Sequence, residues 1–126
     1  KDLENGTYEV ARRDTLTKEI VLKDSIVNYV HNLLDEMQRD LFDRALAFRD
    51  AHITEVDDFD AFKEVLENKT GFVSAHWDGT PETEEKIKDL TKATIRCIPL
   101  DRAEEPGVCM LTGKPSKGRV LFAKAY

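Results

Sequence analysis

His76, Asp78 and Cys109 supply the residue types of a nucleophilic cysteine site: a thiol, an imidazole base and a carboxylate to orient it. Types alone do not establish the geometry such a site needs, and His76 next to Trp77 reads more simply as a strand residue with its ring at the surface. A second set is cationic. Arg12, Arg13 and Lys18 lie in and beside a polar run, where they could neutralise phosphates or hydrogen-bond bases. Lys114, Lys117 and Arg119 surround a second turn, Gly113-Lys114-Pro115-Ser116-Lys117-Gly118. The plain alternative for both is a solvated turn, since polar residues belong at hairpin tips. Cys97, in an apolar strand, reads as a small buried hydrophobe, and Trp77 and Phe72 as core rather than a base-stacking platform. The acidic runs at Asp57, Asp58 and Asp60 and at Glu82, Glu84 and Glu85 sit at helix starts, where negative charge suits the macrodipole without any cation.

These residues need elements to position them. Thr7–Ala11 and Glu19–Leu22 alternate apolar and polar side chains and flank Arg12-Arg13-Asp14-Thr15, which predicts a two-stranded meander. Asp24 and Ser25 offer N-cap oxygens to a helix running to about His52, whose apolar positions Ile26, Val30, Leu33, Leu34, Met37, Leu41, Ala45 and Phe48 fall on one face. Two strands and one helix do not close a domain, so upstream sequence is expected. A boundary follows at Thr54-Glu55-Val56-Asp57. Beyond it come a helix burying Phe59, Phe62, Val65 and Leu66, a strand at Gly71–Trp77, and a helix behind Pro81 with Ile87 and Leu90 inward. β-rich stretches at Ala93–Leu100, Val108–Leu111 and Arg119–Ala125 complete the chain. The fold class is therefore mixed α+β, ending in a small α-β-α-β-β-β domain with helices on one face of a mixed sheet.

Composition narrows the function. At 126 residues, 40% hydrophobic and 35% charged, the chain is neither disordered nor membrane-spanning in character. Its net charge of -6 rules out a surface that is basic throughout, so any RNA contact is local. The two cysteines, Cys97 and Cys109, make no disulfide framework and suit a reducing compartment. The opening KDLENGTYEV has neither an initiator Met nor a signal segment and reads as an excerpt. No Gly-rich phosphate loop is present.

Lys1-Asp2-Leu3-Glu4-Asn5-Gly6-Thr7 followed by Ala11–Thr15 resembles the last strands of the anticodon-binding domain in eukaryote-like prolyl-tRNA synthetases. Leu34–Gln38 and Arg44–Arg49 look like that family's connecting helix, Gly71-Phe72-Val73 with Trp77 like the opening strand of its terminal domain, and Ala93–Pro99 with Phe122–Tyr126 like its close. The resemblance implies residues 1–54 from the end of an anticodon-binding domain and residues 55–126 as a terminal domain. The parent would be a cytoplasmic, homodimeric class II ligase that uses ATP and magnesium to join proline to tRNA(Pro). Its catalytic domain lies elsewhere, so this segment alone would carry no catalytic residue and no membrane contact, with Arg12, Arg13 and Lys18 on the tRNA side.

The family commonly holds zinc in its terminal domain with cysteines spaced C-x4-C and C-x2-C. Those positions are Asp78, Thr83, Cys109 and Thr112 here. Threonine hydroxyls stay protonated and bind zinc poorly, so no zinc is expected, and packing with hydrogen bonds should hold the domain. The terminal tyrosine of relatives looks like an anchor reaching toward the catalytic domain, a role that carries over to Tyr126. An independent RNA- or protein-binding module is the alternative, and a stand-alone cysteine enzyme built on Cys109 a third reading.

Overall fold

The computed structural model describes residues 4–102 and 104–124, in two compact units that divide between Phe48 and Arg49. In the first, β1 (Thr7–Ala11) and β2 (Lys18–Leu22) pair antiparallel from Thr7↔Leu22 to Ala11↔Lys18, the meander expected from their alternation. A 3-10 turn at Lys23–Ser25 leads into α1 (Ile26–Ala51). That turn opens at Leu22 without a side-chain cap, so the capping expected of Asp24 and Ser25 is replaced by a tightened first turn. The apolar stripe of α1 is present, yet none of its residues is buried: Leu34 is 58% and Leu41 51% exposed. Periodicity specifies a face and leaves open what covers it.

The second unit is built on β3 (Ile53–Glu55), α2 (Phe59–Asn68), β4 (Phe72–His76), α3 (Pro81–Thr91), β5 (Ala93–Cys97), β6 (Gly107–Val108), β7 (Pro115–Ser116) and β8 (Arg119–Lys124). Its main sheet runs β3-β4-β8-β5, with β3 parallel to β4 and β8 antiparallel to both β4 and β5. The sheet is mixed, as expected. Asp58 starts α2 by accepting from the Asp60 and Ala61 amides at 3.0 and 2.9 Å, and Pro81 opens α3 where its missing N–H costs nothing. Phe62, fully buried, meets Phe122 edge-on with ring centroids 5.2 Å apart, and Ile87, Val73, Ala75 and Val120 fill in around them.

Several expectations change. The stretch at Thr54, read as a boundary, forms part of the edge strand β3, because Ile53–Glu55 register against Phe72–Ser74. β8 does not close a hairpin with the segment before the Gly113 turn. That turn closes between β6 and β7, while β8 runs to the sheet centre, where Val120 and Phe122 are covered. Leu90 is 62% exposed and Phe72 37%, both outside the core. Cys97 is exposed, since the β5–β8 register slips between Ile95 and Cys97 and turns it outward.

Candidate functional site

Arg12, Arg13 and Lys18 come together. The Arg12 amide donates to the Thr17 carbonyl at 2.8 Å, closing the connection between β1 and β2, and Leu16 takes a left-handed φ of 59°. Ala11, Arg12, Arg13, Leu16, Thr17 and Lys18 line a shallow depression of about 270 Å³. The three cations stand differently around it. The Arg12 guanidinium is committed: Nε and Nη2 donate to Asp14 at 3.1 and 2.8 Å, Nη1 to Glu36 at 2.9 Å and Nη2 to Asp40 at 3.0 Å. Lys18 pairs with Glu9 at 2.7 Å with both side chains exposed, and Arg13 is exposed. A pair such as Lys18–Glu9 is worth little and leaves its ammonium exchangeable.

The Arg12 cluster makes the hairpin acid-sensitive. Hydrogen bonds from Arg12 hold the Asp14 carboxyl down to about 2 in the folded chain. The unfolded carboxyl titrates at about 4, so this contribution to stability is complete above about pH 4 and lost as pH falls toward the folded value. Backbone amide protection in β1 and β2 should therefore fall between about pH 4 and pH 2, as read by hydrogen exchange. Protection that stays constant across that window would remove Arg12–Asp14 as the hairpin's organiser.

In the second unit Asp78 is a hub. Its Oδ2 accepts from the Thr83 hydroxyl at 2.8 Å and the Thr112 hydroxyl at 2.9 Å. Its Oδ1 accepts from the Thr80 hydroxyl at 2.8 Å and the Thr80 amide at 3.1 Å. Burial pushes the carboxyl up, but the bonds from Thr83, Thr80 and Thr112 outweigh it and hold the group below its usual value. The Cys109 amide donates to Lys114 and the Gly113 amide to Cys109, at 2.8 and 2.9 Å, which folds 109–114 into a tight turn. Cys109 is buried beneath it.

His76 is not a surface residue: it is only 5% exposed. Its Nδ1 lies 3.1 Å from Ser116 Oγ and its Nε2 is 3.7 Å from Glu105, so neither Cys109 nor Asp78 partners the ring. Gly107 permits this burial, because a Cβ there would lie 2.5 Å from Nε2. The Cys-His-Asp set is thus not assembled. Arg119 is no exposed tip cation either; it is drawn inward, donating to the Val56 carbonyl at 2.9 Å and pairing with Asp57 and Glu105. Ser116, Glu105 and Gly107 were not legible as partners of His76, since nothing local in the sequence ties them to it.

Residues 59–126 match the family described as prolyl-tRNA synthetase, C-terminal. The chain belongs to that family. Over all 126 residues it is 69% identical to a proline–tRNA ligase of Flavobacterium johnsoniae, 71% to one of Flavobacterium psychrophilum and 67% to one of Christiangramia forsetii. It spans 26% of the length of each.

The zinc-ligand positions of the prolyl-tRNA synthetase terminal domain, carried over by resemblance, are Asp78, Thr83, Cys109 and Thr112, and the donor set does not fit the metal. The hydroxyl protons of Thr83 and Thr112 are already given to Asp78, which leaves one thiol and one committed carboxylate. Among the described residues, no group of three or more His, Cys, Asp or Glu side chains is placed to hold a metal ion. No described helix is long and apolar enough to cross a membrane. Tyr126, the expected anchor, lies outside the described residues.

Proposed function

We propose that this chain is the carboxy-terminal, non-catalytic portion of a proline–tRNA ligase, a cytoplasmic homodimer that uses ATP and magnesium to esterify proline to tRNA(Pro). The observation that carries this is whole-chain identity of 69% and 71% to proteins of that name, across 26% of their length. The segment through α1 is the end of the anticodon-binding domain and the unit from β3 onward the terminal domain, with the anchoring role of Tyr126 carried over from the family. The unburied apolar stripe of α1 supports a neighbour within the same polypeptide, because exposed apolar surface of this kind marks an interface. ATP, proline and magnesium belong to that remainder.

The tRNA-side contact is the β1–β2 connection. Arg13 and Lys18 face the phosphates, while Arg12, held by Asp14, Glu36 and Asp40, keeps the turn in shape. In this reading, R13E/K18E weakens tRNA(Pro) binding by about tenfold or more at low salt and reduces the log–log salt slope by about 1 to 2, close to one for each phosphate that the two cations neutralise. Filter binding at several salt concentrations measures both. An unchanged slope would move the RNA contact off this hairpin.

A further inference from the structure

Three of the four positions at which the family places zinc thiolates, Asp78, Thr83 and Thr112, are joined by hydrogen bonds in this chain. We propose that the Asp78 carboxylate takes over the cross-linking work of the metal, gathering Thr80, Thr83 and Thr112 into a hydrogen-bonded staple that makes the knuckle independent of zinc. The staple joins the turn into α3 to a part of the chain 34 residues farther on. Asp78 sits in the turn after β4, Thr83 in the first turn of α3 and Thr112 in the tight turn between β6 and β7. One anion therefore ties a strand end, a helix start and a hairpin together, as a tetrahedral ion with ligands at these positions would.

The proton count supports carboxylate over hydroxyl as the centre. Each threonine hydroxyl has one proton to give. Thr83 and Thr112 both donate to Oδ2. Thr80 lies 2.8 Å from Oδ1 and 2.9 Å from the Thr83 oxygen, and the charged oxygen is the stronger acceptor. Thr80 is also the N-cap residue of α3, and its side chain makes no capping bond; its hydroxyl lies against Asp78 Oδ1. Its amide completes the turn through the same Oδ1 at 3.1 Å. Thr83 is 4% exposed, so its hydroxyl depends on a protein partner.

The test is a double-mutant cycle on the whole 126-residue chain, unfolded by urea in buffer containing EDTA and again with added zinc. Thr83→Val should lower the folding equilibrium constant by roughly tenfold in the wild-type background and cost nothing further once Asp78→Ala is present, because the partner is already gone. The wild-type midpoint should be the same with EDTA and with zinc. If Asp78→Ala leaves the chain unfolded, Asp78→Leu, of similar size and without hydrogen-bonding atoms, takes its place in the cycle. An equal cost of Thr83→Val in both backgrounds would show that the two side chains are not coupled and overturn the staple. A midpoint lowered by EDTA would overturn metal independence. Neither readout depends on ligase activity or tRNA binding, so a failed staple is distinguishable from a failed assignment of function.

Discussion

Phe62→Ala should lower the stability of the second unit by about 3–5 kcal/mol, the range for removing a fully buried aromatic ring. Phe62 has no solvent exposure, stacks on Phe59 at 5.9 Å between centroids and meets Phe122 edge-on at 5.2 Å. It links α2 to the central strand β8, so its loss leaves a cavity between helix and sheet that neighbours in a small core cannot close. A unit of this size carries only about 4–12 kcal/mol in total. The variant should therefore unfold at a much lower urea concentration, or without a cooperative transition, when followed by far-UV circular dichroism. A shift equivalent to less than about 1 kcal/mol would mean that α2 is not anchored through Phe62.

Gly71→Ala should be the next most damaging change. Gly71 has φ of +114° just before β4, and a Cβ there would lie 2.2 Å from the His52 carbonyl oxygen. That oxygen accepts from the Phe72 amide at 2.8 Å, the bond that begins the β3–β4 pairing. The methyl group would have to displace backbone, not a flexible side chain. Disfavoured backbone and lost pairing together should cost at least about 2 kcal/mol. Gly79→Ala is the matched control: φ is +83° but nothing lies within 4 Å of its Cβ, so only the conformational cost of about 1 kcal/mol remains. Equal urea midpoints for the two variants would contradict the close approach of Gly71 to His52.

Local pattern revealed much of this molecule. Alternation gave β1 and β2, three- and four-residue spacing gave α1 and α2, and Pro81 marked the start of α3. What escaped depended on partners far along the chain. Ile53–Glu55 has too few residues to signal a strand, and it becomes one because Phe72–Ser74 lies beside it. His76 looked like a surface ring because its burial depends on the missing side chain of Gly107 and the hydroxyl of Ser116. Leu90 kept the spacing of a core residue although it is 62% exposed. At the knuckle, the resemblance to the family grouped Asp78, Thr83, Cys109 and Thr112 as a set, one whose donor types suit zinc poorly. That a carboxylate would collect the hydroxyl protons became evident only with Thr112 folded against Asp78. The basic hairpin was legible in residue type; the commitment of Arg12 to Asp14, Glu36 and Asp40 was not, because two of those partners lie on α1.

The most direct test of the functional assignment is aminoacylation by a chimera in which this chain replaces the matching 26% of the Flavobacterium johnsoniae ligase, assayed beside the 126-residue chain alone. The assignment predicts that the chimera charges tRNA(Pro) with proline at close to the rate of the intact ligase, and that the chain alone supports neither charging nor proline-dependent ATP–pyrophosphate exchange. A folded chimera that cannot charge tRNA(Pro), or proline-dependent exchange by the chain alone, would contradict it.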